Sequence, residues 1–119
     1  MLERAKSMLV SQIHQNNMEP CIKIVQAGFP INDPIIDCEI TILMHVSAMC
    51  TKESVQQILA LSPDVNKRDS IGRTALHYAC RAGKMENVQV LMENDEIDVD
   101  AVTNAGVSPL MTAVESGNI

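Results

Sequence analysis

Three histidines and four cysteines are the side chains best suited to chemistry: His14, His45, His77, Cys21, Cys38, Cys50 and Cys80. A zinc site would need them clustered, with ligands at short local spacing. They are scattered along the chain, and no CxxC pair occurs. His77 and Cys80 stand three residues apart, which makes them neighbours on a helix and gives a minimal Cys–His nucleophilic pair. No third orienting group and no oxyanion-stabilising pattern accompany them. Gly72 and Gly106 lie in turn-like segments and do not build a phosphate-cradling loop. These residues therefore read as structural. The cysteines suit packing as small apolar groups, and the sequence nominates no catalytic residue, no cofactor and no metal ligand.

The elements that carry these residues must make a core from unusual material. Of 119 residues, 46% are apolar and 20% charged, a folded composition sized for one domain. Aromatics are only 2%, so Leu, Ile, Val, Ala and eight Met must fill the interior. Such a mixture favours thin layers of modest side chains over one thick core. The net charge of −6, without a basic run, argues against nucleic acid and against anionic membrane surfaces. The opening Met1-Leu2-Glu3-Arg4-Ala5-Lys6 lacks the long apolar stretch of a secretory signal. No run approaches the ~18 apolar residues of a membrane span. The expectation is free thiols in a reducing, intracellular compartment, cytoplasmic or nuclear, and no membrane insertion.

Self-similarity organises the chain. Asp69-Ser70-Ile71-Gly72-Arg73-Thr74-Ala75-Leu76-His77-Tyr78-Ala79 returns 34 residues later as Thr103-Asn104-Ala105-Gly106-Val107-Ser108-Pro109-Leu110-Met111-Thr112-Ala113. Upstream, Thr41-Ile42-Leu43 precedes Thr74-Ala75-Leu76 by 33, and Val55, Ile58 and Leu59 precede Val88, Leu91 and Met92 by the same interval. Thr74 and Ser108 are placed to cap helices. Pro109 fits the first helical position. Gly72 and Gly106 suit a tight turn, and Gly83 and Gly117 suit left-handed helix ends. Leu76 and Ala79, then Val88, Leu91 and Met92, give two apolar stripes of helical spacing. One helix pair cannot bury both stripes, so the units must stack.

Gly72-x-Thr74-Ala75-Leu76-His77-x-Ala79, then Gly83, Val88-x-x-Leu91-Met92 and Val99-Asp100, resembles an ankyrin repeat. Gly106-x-Ser108-Pro109-Leu110 resembles the start of the next. The resemblance implies an all-α solenoid of stacked helix–turn–helix units with hairpin-like loops. Its divisions are a capping repeat at 1–31, a degenerate repeat at 32–65, a regular repeat at 66–99 and a truncated repeat at 100–119. Met44 and Met111 stand where His77 does. The segment 33–40 has no turn glycine and one extra residue. A one-residue slip falls in Glu93-Asn94-Asp95-Glu96. Met44, Met92 and Met111 align with core positions, whereas Met49 and Met85 fall near helix–helix turns, where exposure is expected. His77 is expected to bond backbone or hydroxyl groups between neighbouring hairpins. Because the last unit stops at Ile119, a longer parent chain is expected, with Leu110, Met111 and Ala113 short of cover and residues 100–119 prone to fray.

The family pattern also implies a function: a protein–protein interaction module, non-enzymatic, within a scaffold or adaptor. A partner protein or peptide would lie on a concave face made by hairpin tips and the ends of the first helices. Those positions are Lys67, Arg68, Ser70, Ile71, Arg73 and Arg81 in the regular repeat, Val102, Asn104, Ala105 and Val107 in the next, and Met49 in the one before. Four are basic in a chain of negative net charge. That favours an acidic, partly apolar partner, since Arg is suited to bidentate carboxylate contacts. Three other roles compete: a regulatory or substrate-recruiting segment of an enzyme encoded beyond residue 119, a metal-dependent or redox-sensing module, and self-association through the truncated end.

Overall fold

The computed structural model describes residues 2–118. Its elements are α1 (Leu2–His14), α2 (Met18–Gln26), β1 (Pro34–Ile36), β2 (Ile40–Thr41), α3 (Ile42–Met49), α4 (Lys52–Leu59), α5 (Ala75–Ala82), α6 (Met85–Met92) and α7 (Pro109–Glu115). Helices α1, α3, α5 and α7 pack in sequence as an inner row, while α2, α4 and α6 form an outer row against it. The principal extents are 39 × 26 × 25 Å, longer in one direction as a row of thin layers must be.

Local chemistry sets each helix. Thr41 Oγ1 accepts the Met44 N–H at 3.4 Å, Thr51 Oγ1 accepts Ser54 N–H at 3.4 Å, and Ser108 Oγ accepts Met111 N–H at 3.2 Å. These caps satisfy first-turn donors that no helical carbonyl can reach. Pro20 and Pro109 stand in first turns, where a missing N–H costs nothing. Gly83 ends α5 at φ +72°, and a Cβ there would lie 2.9 Å from Asn118 Oδ1. Asn118 uses that proximity: its Nδ2 donates to the Cys80 and Arg81 carbonyls at 2.9 and 3.1 Å. Asn87 does the same for α3, donating to Ser47 and Cys50 carbonyls at 3.0 and 2.9 Å. Each layer thus closes the carbonyl end of an inner helix in the layer before it.

The core runs unbroken through the layers. It includes Leu9, Ile13, Ile42, Leu43, Val46, Val55, Ile58, Leu76, Ala79, Val88, Leu91 and Ala113. Ala79 and Ala113 are almost wholly buried, as small residues between close inner helices should be. Cys21, Cys50 and Cys80 are buried among them, Cys38 is exposed, and all four are free thiols.

Two sequence expectations need correction. Met44 is fully buried, Leu110 and Met111 are short of cover as expected, but Ala113, expected to share that shortage, is only 1% exposed, and Met92, aligned with the core, is 53% exposed. The reason is positional: Met92 and Leu110 line an apolar groove with Met85, Val88, Val99 and Pro109, on a side where no described residue covers them. On α1 Met8 is exposed, while Leu9 and Ile13 do the burying. The glycine-free segment 33–40 keeps a defined shape. It is an antiparallel ribbon pairing Pro34 with Thr41 and Ile36 with Ile40. The surplus residue is a bulge at Ile35, which is buried, and Cys38 and Glu39 supply the turn at φ +70° and +60°.

Candidate interaction surface

The two turns with the strongest sequence likeness have the same conformation. Asp69 N–H donates to the Arg73 carbonyl at 2.9 Å, and Gly72 N–H closes back on Asp69 at 3.0 Å. Thr103 and Val107, then Gly106 and Thr103, repeat both bonds at 2.9 Å. Gly72 and Gly106 take φ +87° and +79°. Even the bracing side chain is equivalent. Asp69 Oδ1 accepts Ile71 and Arg73 N–H at 3.0 and 2.8 Å, and Thr103 Oγ1 accepts Ala105 and Val107 N–H at 3.3 and 3.2 Å.

Successive tips are tied to each other. Ser70 N–H donates to the Cys38 carbonyl, and Asn104 N–H to the Ile71 carbonyl, both at 2.9 Å. The approach is close enough that a Cβ on Gly72 would meet Asn104 Oδ1 at 2.8 Å and its backbone N at 2.9 Å. Three loops distant in sequence therefore make one continuous backbone edge.

His77 joins the helices to that edge. Nδ1 accepts the Thr74 N–H at 3.1 Å and lies 2.9 Å from Thr74 Oγ1, while Nε2 sits 2.8 Å from the Val107 carbonyl. Only the Nε2–H tautomer serves both contacts. Burial holds its pKa below the ordinary histidine range, although the Val107 carbonyl works the other way. Where methionine replaces it, the thioether keeps half the role: Met44 Sδ and Met111 Sδ each lie 3.4 Å from the N–H of the capping residue.

The same contacts remove the Cys80–His77 pair as a nucleophile. Both imidazole nitrogens are engaged, and burial raises the Cys80 thiol pKa. Burial raises Cys21 as well and pushes Cys50 to about 11. Reactive cysteines need the opposite, a lowered pKa with access to solvent. Among the described residues no group of three or more His, Cys, Asp or Glu side chains could hold a metal. No described helix is long and apolar enough to cross a membrane.

The residues nominated for partner contact divide into three groups. Lys67, Arg68, Ser70, Ile71, Val102, Asn104 and Ala105 are exposed along the loop edge, with Val107 half-buried beside them. Arg81 and Met49 are exposed too, but at the opposite ends of α5 and α3, about 12 Å away for helices of this length. Met49 lies with Lys52, Lys84 and Met85 around a depression at the helix–helix turns. Arg73 is the exception. Its Nε is 2.7 Å from Asp69 Oδ2, its guanidinium lies 4.9 Å over the Tyr78 ring, and the Tyr78 hydroxyl donates to the same carboxylate oxygen. Burial works to raise the Asp69 pKa, but hydrogen bonds from Tyr78, Arg73 and two backbone N–H groups hold it below the usual carboxylate range. Arg73 is thus largely spent inside the chain. The sequence carries one signal for this pair, an acid four residues before an arginine.

Comparison with known proteins agrees with this architecture. A family model described as ankyrin repeats (three copies) matches residues 8–102 and 43–119. Neurogenic locus notch homolog protein 1 of Mus musculus is 34% identical over 71 residues, which is 59% of this chain and 3% of that protein. Neurogenic locus notch homolog protein 2 of Homo sapiens is 32% identical over the same shares. An ankyrin repeat-containing protein of Schizosaccharomyces pombe is 32% identical over 71 residues, or 30% of its length. The chain therefore spans only a small part of these relatives. With layered helix pairs, equivalent capped turns and a family match along nearly its whole length, the chain belongs to the ankyrin repeat family.

Proposed function

We propose that this chain is a non-catalytic binding module, acting inside cells, whose partner is a protein or peptide surface of acidic and partly apolar character. Ankyrin repeats are a general protein–protein interaction module. The observation that carries the finer reading is the hydrogen-bonded edge from Cys38 through Ser70 and Ile71 to Asn104. Recognition by a loop surface usually loses affinity to ordering. Here the loops are already ordered by their neighbours, so a guest meets a preformed ledge.

The ledge presents two kinds of group. Ile71 and Val102 are 49% and 43% exposed, and Lys67 and Arg68 stand exposed beside them. Cations next to apolar side chains on an otherwise acidic protein favour carboxylate-bearing partners and reject basic ones. Arg81 extends the positive character along the inner helices. Arg73 contributes through Asp69, by shaping the loop.

The test is capture of partners with the full-length protein carrying Lys67→Glu and Arg68→Glu, alone and with Arg81→Glu. All three side chains are exposed, so the fold should be unaffected. Partner affinity should fall by about tenfold or more, with the loss shrinking as salt rises. Unchanged affinity in an intact fold would remove the assignment of this edge. Reversal at Arg73 is unsuitable, because it breaks the Asp69 pair and confuses binding with stability.

A further inference from the structure

Stacking brings together two histidines that lie 31 residues apart in sequence. His14, at the end of α1, and His45, in α3, face each other across neighbouring inner helices. Their Nε2 atoms are 3.0 Å apart, with ring centroids separated by 5.1 Å and planes tilted by 38°. Two imidazole lone pairs so close repel unless something positive lies between them. In the metal-free pair that is one N–H, donated by one ring to the other. A second proton is disfavoured: burial first, then the neighbouring His14, lower the pKa of His45.

We propose that His14 and His45 form a two-nitrogen site for a divalent transition-metal ion of the borderline class, such as Zn(II), Ni(II) or Cu(II). Metal–imidazole bonds of about 2.0–2.1 Å at angles of 90–110° place the two nitrogens about 2.9–3.4 Å apart. The observed spacing falls inside that range, and neutral imidazole is the ligand these ions favour. The scaffold holds the nitrogens in place. Leu9 and Ile13 of α1 and Ile42 and Val46 of α3 are buried in one core, so the backbones under the two rings are set by packing. His14 is exposed, so its ring can tip to aim its lone pair at an ion.

The same geometry limits the site. No third protein ligand joins it among the described residues, so water completes the coordination sphere. The ion would be exchangeable, unlike a structural zinc with four protein ligands. Glu3, Lys6 and Asp37 line the cleft beside His14, α3 bears no Asp, Glu, Lys or Arg, and Arg81 is the only fixed charge on α5. Hard cations have no reason to choose nitrogen donors here. A bound ion would pin the first helix to the second layer, stabilising the fold through linkage because the unfolded chain lacks the paired geometry. This inference is independent of the partner-binding reading.

The experiment is titration of the full chain, carrying Cys38→Ser to remove the exposed thiol, with Zn(II) and Ni(II), followed by calorimetry and thermal unfolding. One ion per chain should bind, with a rise in Tm, and Mg(II) should do neither. His14→Ala should weaken binding about tenfold or more, and His45→Gln likewise. In histidine ring spectra, Ni(II) should broaden His14 and His45 and leave His77 sharp. Two results would overturn the site: no binding at millimolar metal at pH 7.5, or binding of equal strength in His14→Ala. Because His14 is exposed, that variant decides the question even if His45→Gln does not fold.

Discussion

His77→Met separates two jobs that one imidazole performs. The protein already uses methionine at this register: Met44 and Met111 offer Sδ to the capping N–H at 3.4 Å. A methionine at 77 should therefore keep the contact to Thr74 N–H within its own layer. It cannot donate to the Val107 carbonyl, now 2.8 Å from Nε2. The expected cost is that one bond, about 0.5–1.5 kcal/mol, at the low end of what an unpaired group costs because Val107 is half-buried and water can reach it. For a chain of this size that lowers Tm by about 2–6 °C. His77→Ala loses both contacts and leaves a cavity at a site 1% exposed, so about 3 kcal/mol is expected. Urea unfolding followed by far-UV circular dichroism gives both values. Amide exchange at Thr103 and Val107 should rise in His77→Met while Thr74 stays protected. Acid sensitivity provides a second measure. The folded-state pKa of His77 is depressed, so the unfolded chain binds the proton first. Its contribution is complete above about pH 6.5 and disappears as pH falls through the folded value. His77→Met should flatten that part of the acid slope, leaving the part due to His45, which is shifted the same way. If His77→Met proved as damaging as His77→Ala, the thioether would not be replacing Nδ1. If it cost nothing, the bond to Val107 would not be holding the layers.

Gly72→Ala and Gly106→Ala both force alanine into positive φ, at about 1 kcal/mol each, but only Gly72 is crowded, by Asn104 and Thr103. Chemical denaturation should show Gly72→Ala the worse by about 1–3 kcal/mol, and equal effects would argue against tight contact between tips. Asp69→Ala strands Arg73 and the Tyr78 hydroxyl and removes two backbone acceptors, so about 3 kcal/mol should be lost at pH 7 in calorimetry. Since the Asp69 pKa is depressed, its contribution is present above about pH 4 and is lost as pH falls through the folded value, so the gap between wild type and variant should close in strong acid. Leu76→Ala and Leu110→Ala strike the same repeat position at 2% and 63% exposure. About 2–5 kcal/mol is expected for the first and under about 1 for the second in equilibrium unfolding, and similar values would show Leu110 to be covered in solution.

The recurrence of Gly72, Thr74, Leu76 and Ala79 at Gly106, Ser108, Leu110 and Ala113 was enough to establish layers, caps and turns. Those features depend on residues within a few positions of one another: a hydroxyl before an orphan N–H, a residue free to take positive φ, apolar groups one helical turn apart. Exposure was less legible. Leu76 and Leu110 share one repeat position yet are 2% and 63% exposed, because burial is conferred by the neighbouring layer, and only the shortage at Leu110 and Met111 was expected. Met92, aligned with the core, and Ala113, expected to lack cover, differ from the sequence reading for that reason.

The candidate edge shows the same division. Its members Lys67, Arg68, Ile71, Val102 and Asn104 followed from their place at the turns. That Arg73 is committed to Asp69, and that Met49 and Arg81 stand a helix length away, needed coordinates. The pairing of His14 with His45 lay furthest beyond the sequence, since only the stacking of α1 on α3 makes neighbours of residues 31 apart. Short-range bonding, written in adjacent letters, determined what each layer is. The packing of one layer on the next decided which side chains are free, which are spent and which meet.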